Sequence, residues 1–198
     1  FTPAALQPGD ADAAVLAQIL GGTPASKLHT GLAIDAQLAD DTGASFQSGQ
    51  NVSVLTLWAA VKPGVDPETV VNAIQAQIDL LNDIPPTADE VEHAVDAIVA
   101  ARALSVRTAR GRAELLASTA FFASDPAFLA APLDKDAARF RAVTPDSLAA
   151  VAKTALAKEH RAILVAKPTP PAPAPATPTT TPTTTTTPPP AAAPAGGK

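Results

Sequence analysis

The sequence from Pro8 to Ala44 reads PGDADAAVLAQILGGTPASKLHTGLAIDAQLADDTGA, and it decides the fold that the rest of the chain joins. Its beginning is typical of a helix start, and apolar residues then recur at i, i+1, i+4 and i+5, which predicts a helix over Ala11–Leu20. The paired glycines after it suit a helix C-cap and a tight turn, because glycine takes up left-handed backbone easily. A second helix, Ser26–Ala36, and strand-like sequence after Asp41 complete a predicted helix–turn–helix–strand unit.

Strand candidates lie on both sides of the turn Ser48-Gly49-Gln50. They cover Thr42–Ser48 and Asn51–Lys62, and the short separation predicts an antiparallel hairpin. Apolar residues occupy both alternating faces of the second strand, which suits a strand that is covered on each side or central in a sheet. An extended entry over residues 1–4 and a short buried strand over Ala162–Ala166 are also predicted.

The sequence between Lys62 and the final apolar run predicts helices with recognisable starts. Asp66-Pro67-Glu68 supplies an N-cap, a proline at the first helical position and an early acid, and Thr87–Glu90 is a capping box. The same proline device recurs at Asp125-Pro126 and Thr144-Pro145. The order predicts an α+β fold in which a mainly antiparallel sheet is covered on one face by helices. The helices are predicted from Asp66 to before Pro85, from Thr87 to about Arg107, and over Arg112–Ala123, Pro126–Ala142 and Pro145–Lys158.

Composition divides the chain into a domain over residues 1–167 and a tail over 168–198. The tail contains only Pro, Thr and Ala before a final Gly-Gly-Lys, so it is expected to be disordered with polyproline II character. The net charge is −5 and the sequence contains no run of basic residues, which argues against nucleic acid or an anionic membrane surface as partner. There is no cysteine and no apolar run near the roughly 20 residues of a spanning helix.

Residues that carry chemistry are scattered. His29, His93 and His160 are isolated, and DEVEH around His93 lacks the first histidine of an H-x-x-E-H zinc motif, so no metal ligand is assigned. Asp40 and Asp41 are best interpreted as solvated turn residues rather than a catalytic pair. No nucleophile elbow and no phosphate-binding glycine loop occurs, so no catalytic residue is assigned. The residues alone predict an α+β domain without a self-contained active site.

A family resemblance adds to this interpretation. The order and spacing of several motifs over residues 1–167 resemble the C-terminal, inactive domain of insulinase/pitrilysin-type zinc metallopeptidases and of mitochondrial-processing-peptidase subunits. Each motif is weak alone, and their shared order makes the resemblance specific. The motifs are the Pro-Gly-Asp entry at residues 8–10, Leu-Gly-Gly at 20–22, Ser-Lys-Leu-His at 26–29, Lys-Pro-Gly-Val-Asp-Pro-Glu at 62–68, Pro-Thr-Ala-Asp-Glu-Val-Glu at 86–92 and Val-Thr-Pro-Asp at 143–146.

The resemblance implies that two similar α+β halves enclose a peptide, with zinc held by H-x-x-E-H in the other half and none in this chain. It implies a missing first strand and a missing zinc-bearing half upstream. Many relatives place an Arg and, seven residues later, a Tyr in this half to hold the substrate near the zinc. Those positions are Ala33 and Asp40 here, so no substrate-clamping role is expected, because alanine has no donor and aspartate no phenol.

Two roles follow from the resemblance, and a third class stays open. The chain is either the C-terminal, chamber-forming part of a zinc metalloendopeptidase or a non-peptidase partner subunit that shapes the chamber, and an upstream H-x-x-E-H discriminates the two. Its expected partners are a homologous zinc-bearing half or subunit and a peptide substrate. The third class is an envelope scaffold or binding module on a Pro/Thr stalk. A bacterial periplasmic or envelope location is the expectation from family habit.

Overall fold

Helix α1, Asp10–Gly21, is the central helix of the fold. Asp10 and Asp12 lie in its first turn, where a negative charge complements the helix dipole. The side chains of Val15, Leu16 and Leu20 are fully buried, and burial of each such side chain stabilises the fold by about 1.5–3 kcal/mol. This computed structural model describes residues 2–123 and 126–167, with only the backbone of 126 and 127.

The two glycines at the end of α1 do not adopt a left-handed backbone; they allow close packing instead. Gly22 is right-handed with φ −78°, which corrects the prediction of a left-handed cap. A Cβ on Gly21 would lie 2.1 Å from the backbone nitrogen of Ala44, so only glycine lets the helix end approach the sheet this closely.

The sheet is an antiparallel hairpin of β1, Ala39–Gln47, and β2, Val54–Val61. A bulge between Ala39 and Asp41 interrupts the ladder. Trp58 lies opposite Gly43, where a Cβ would come within 2.6 Å of the indole ring. The hairpin and the α+β class are confirmed. β1 begins and ends before the predicted bounds, and β2 is shorter than predicted at both ends.

The remaining helices follow the sheet in sequence. Asp66 and Thr87 cap the first two, and Thr144 caps the last, as the sequence predicts. Asp125 lies outside the described residues. The helices are α2, Pro67–Asp83; α3, Ala88–Ser105; α4, Ala109–Phe122; α5, Pro126–Ala130; α6, Pro132–Arg141; and α7, Pro145–Ala155, followed by a 3₁₀ turn at Lys158–His160.

Three predicted elements differ in the structure. The single helix over Pro126–Ala142 is two helices, because Pro132 lacks an N–H and disfavours helical backbone at Ala131, which has φ −146°. The prediction of a buried strand over Ala162–Ala166 is wrong: this run has no regular secondary structure, and Leu164 is 93% exposed. The helix predicted over Ser26–Ala36 is mainly a π-helix, described with the site below.

The core lies around α1, which contacts β1, α3, α6 and α7. One cluster of buried apolar residues joins these elements and α2. Its largest fully buried side chains are Leu16, Leu20, Leu28, Leu32, Phe140 and Leu148. Residues up to Leu164 form this unit, and 165–198 form a separate one, of which 165–167 are extended. The assignment of the tail to 168–198 lies outside the described residues.

A buried ionic cluster ties the start of α1 to α6. The carboxylate of Asp10 accepts hydrogen bonds from the Leu6 amide at 3.0 Å and the Ser48 hydroxyl at 2.9 Å, and Arg139 Nη1 lies 2.5 Å away. Arg139 Nη2 binds Asp136 Oδ1 at 2.6 Å. Asp10 and Arg139 are 129 residues apart in sequence, so this contact fixes α6 against the start of α1.

We expect Asp10→Ala to lower the free energy of unfolding by about 3 kcal/mol, because it leaves Arg139 with one buried carboxylate and removes the acceptor of two further donors. Urea unfolding measures the loss. Asp79→Ala, at an exposed position of α2, is the matched control and should change stability by less than about 0.5 kcal/mol. A loss below about 1 kcal/mol at Asp10 would contradict the role of the cluster.

Candidate functional site

The wall segment, which we define as residues 26–41, contains the positions that the resemblance associates with substrate. It begins with Leu28 and Leu32, both fully buried, which hold it against the core. Its centre is a seven-residue π-helix, His29–Asp35, closed by a hydrogen bond from the Ala36 amide to the Gly31 carbonyl at 3.1 Å. π-Helical turns are rare and occur frequently at functional sites.

Close packing on α2 shapes the π-helix. A Cβ at Gly31 would lie 2.5 Å from the side-chain nitrogen of Gln77, so glycine permits the contact between the two helices. The segment then reverses through Gln37, whose φ of 53° is left-handed, and enters β1. Left-handed backbone at a non-glycine residue is uncommon and strained, and here it occurs directly before the bulge of β1.

Ala33 and Asp40 lie at opposite ends of this reversal. Ala33 is half-buried on the π-helix, and Asp40 is exposed at the bulge of β1. A methyl group and a carboxylate are therefore the groups that the chain presents at the two positions. Neither can donate a hydrogen bond to a peptide carbonyl when the carboxylate is ionised.

His29 and Asp41 form a loose pair at the two ends of the wall segment. His29 Nδ1 lies 3.8 Å from Asp41 Oδ1, beyond hydrogen-bond distance, and the same carboxylate oxygen accepts from the Thr42 amide at 2.8 Å. Asp40 and Asp41 are both solvent-exposed, as the sequence predicts, but they lie at the bulge of β1 rather than in a turn.

The three histidines lie on three different elements of the structure. His93 is exposed on α3, and His160 Nδ1 lies 3.3 Å from the Thr154 carbonyl oxygen after α7. Across 2–123 and 126–167, no group of three or more His, Cys, Asp or Glu side chains is placed to hold a metal ion.

Lys27 and Glu90 tie the wall segment to α3. Their Nζ and Oε1 atoms are 2.7 Å apart, and Glu90 also completes the capping box with Thr87. The hydrogen bond from Lys27 is the largest cause that lowers the pKa of Glu90, and the Thr87 amide lowers it further against a rise from burial. Both side chains are partly exposed, so solvent screens the pair.

Sequence reasoning missed the π-helix and the Asp10–Arg139 cluster. The π-helix lies where the apolar periodicity predicts an α-helix, and that periodicity does not distinguish the two. The cluster joins residues whose separation in sequence carries no local signal.

Among the described residues, no helix combines the length and the apolar character that a membrane span requires.

We expect the Lys27–Glu90 pair to stabilise the fold by about 0.5 kcal/mol at pH 7. Because the pKa of Glu90 is lower in the folded state, this contribution is fully present above the ordinary glutamate pKa of 4.5 and is lost as the pH falls through the folded value. Urea unfolding of Lys27→Met and of the wild type from pH 3 to pH 7 measures it. Lys153→Met, which removes an exposed lysine on α7, is the control, and a difference that persists at pH 3 would contradict the assignment.

Comparison with known proteins gives a family and a fold. Residues 2–98 match the family of the peptidase M16 inactive domain. No curated protein matches the chain. The inactive peptidase domain of a candidate zinc protease from Bordetella parapertussis superposes with a TM-score of 0.71 at 21% identity, over 81% of this chain and 84% of that one.

Two further solved structures share the fold. A candidate zinc protease from Bordetella pertussis Tohama I gives a TM-score of 0.70 at 22% identity, over 81% of this chain and 85% of that one. A protease from Helicobacter pylori gives 0.68 at 20% identity, over 77% of this chain and 36% of that one. The resemblance inferred from the sequence is confirmed over residues 2–98, which match the peptidase M16 inactive domain.

Proposed function

We propose that this domain is a non-catalytic wall of the peptide chamber of a zinc-dependent metalloendopeptidase, and that it pairs with a homologous zinc-bearing half. The M16 inactive-domain match and the shared fold support the family context. The observation that carries the proposal is the outer face of β2. The zinc-bearing half would supply the metal and the water-activating carboxylate, and this domain would supply shape and binding surface.

The outer face of β2 is apolar and exposed. Val54 is 55% and Trp58 is 44% exposed, and the strand carries no charged residue from Val54 to Val61. A contiguous exposed apolar surface marks a site of interaction with another molecule. We infer that the zinc-bearing half covers this face of β2.

The free edge of β2, as distinct from its outer face, can pair with a further antiparallel strand. An antiparallel bridge joins Thr2 to Ser53, and the Thr2 hydroxyl donates to the Ser53 carbonyl. Since β1 occupies the other edge of β2, a strand that extends this bridge runs antiparallel along the free edge and past Trp58. We propose that the first strand of the complete domain lies there.

The wall segment supports a shaping role rather than a clamping role. Ala33 and Asp40 present a methyl group and a carboxylate where relatives use donors, so this half would contribute little to holding the scissile peptide at zinc. The chain would use the same surface, the outer face of β2, whether it is a C-terminal half or a separate non-peptidase subunit.

We expect Trp58→Glu to raise the dissociation constant for the zinc-bearing half at least tenfold, because a central aromatic contact would be replaced by a buried charge. The measurement is isothermal titration of the full chain with each H-x-x-E-H half of this family from the same organism. Ile84→Glu is the matched control, since Ile84 is an exposed apolar residue at the end of α2 and is not part of the sheet. Failure of every such half to bind, or equal effects of the two variants, would contradict the proposal.

We expect the purified chain to carry no stoichiometric zinc, because its described His, Asp and Glu side chains form no ligand group. Elemental analysis after dialysis against micromolar zinc measures the metal content. The complex with an H-x-x-E-H half should carry one zinc ion per pair, and chelation should abolish cleavage of an unfolded peptide by that complex. Tight stoichiometric zinc in the isolated chain would overturn the non-catalytic assignment.

A further inference from the structure

The few aromatic residues of this chain gather at one pocket. The sequence has one Trp, no Tyr and six Phe, and four of those six line a half-open pocket of about 310 Å³. The four are Phe46 at the end of β1, Phe122 on α4, Phe128 on α5 and Phe140 on α6. Aromatic side chains from four elements are thus directed at one space in an otherwise aromatic-poor protein.

Helix α4 forms one side of this pocket. It contributes Leu115, Ser118, Thr119 and Phe122, whose spacing places them on one helical face. The rest of α4 is largely exposed, and Thr119 is its one buried residue. The helix therefore leans over the pocket rather than packing into the core.

The opposite end of the pocket is polar and carries guanidinium groups. Arg139 uses Nη1 and Nη2 for Asp10 and Asp136, while its buried Nε has no acceptor among the described residues. Arg102 is 53% exposed at the side chain and lies 3.6 Å from Asp136, a loose pair that leaves donors available. Two carboxylates face the same end, and Arg139 already holds both.

We propose that this pocket binds a small monocarboxylate with an aromatic or branched aliphatic body. A cavity of about 150 Å³ accommodates benzene, so twice that volume admits one ring with a short chain. The body would lie among the phenylalanine rings, and the carboxylate would accept hydrogen bonds from the half-exposed guanidinium group of Arg102. An apolar pocket with a few convergent polar groups is the usual form of a small-molecule site. The proposal goes beyond the chamber-wall function and does not depend on it.

Titration of the 198-residue protein with 3-phenylpropionate tests the site, with 3-phenylpropanamide as the neutral comparison. We expect saturable binding of the carboxylate, at least tenfold tighter than the amide, by calorimetry and by chemical shifts of the pocket residues. Arg102→Gln should remove the preference for the carboxylate. Arg110→Gln, an exposed arginine outside the pocket, should preserve it.

A pocket-filling variant provides the second arm. Ser118→Phe, at an exposed position of α4 in the pocket wall, should abolish binding of both compounds, whereas Leu116→Phe, at an exposed position of α4 outside the pocket, should leave it unchanged. Should Ser118→Phe fail to fold, nuclear Overhauser contacts between the ligand ring and the Leu115 methyl groups in the wild type decide the location. Non-saturable binding, equal affinity for the carboxylate and the amide, or an unchanged Arg102→Gln variant would overturn the proposal.

Discussion

The structure depends on the burial of α1 between the hairpin and the helices α3, α6 and α7. Its fully buried Val15, Leu16 and Leu20 supply the largest apolar contribution of any single element, and Gly21 lets its end touch the backbone of β1. Because the core forms on this helix, the positions of the wall segment and of the pocket both follow from it. The sheet itself has two strands in the described residues and would be marginal without α1 behind it.

Local signals in the sequence predict the helices whose first residues include a capping side chain. Asp66, Thr87 and Thr144 cap helices as predicted, because a side-chain oxygen satisfies amides that no tertiary contact can reach. The apolar run at 162–166 has the composition of a strand but finds no neighbour in the described chain, since a strand requires pairing and composition cannot supply it. The cluster of Asp10 with Arg139 is equally invisible, because 129 residues separate its members.

The sequence gives the residue types at the candidate site, but not the backbone conformation that places them. The residues at 33 and 40 can be aligned and found to lack donors, which is a statement about side-chain chemistry alone. Ala33 lies on a π-helix that packs closely on α2 at Gly31, and Asp40 lies at a β-bulge that follows the left-handed Gln37. Such backbone choices are decided by packing that no local pattern encodes. A surface-shaping role for this half agrees with both the missing donors and the irregular backbone.

The polar end of the pocket divides its two arginines between stability and recognition. Arg139 gives both terminal nitrogens to Asp10 and Asp136, and this pairing anchors α6 to the start of α1. Because Asp136 is already paired with Arg139 at 2.6 Å, it does not depend on its loose contact with Arg102 at 3.6 Å. Arg102 can therefore donate charge-assisted hydrogen bonds to the carboxylate that we propose, while the cluster of Asp10, Asp136 and Arg139 continues to hold the fold together.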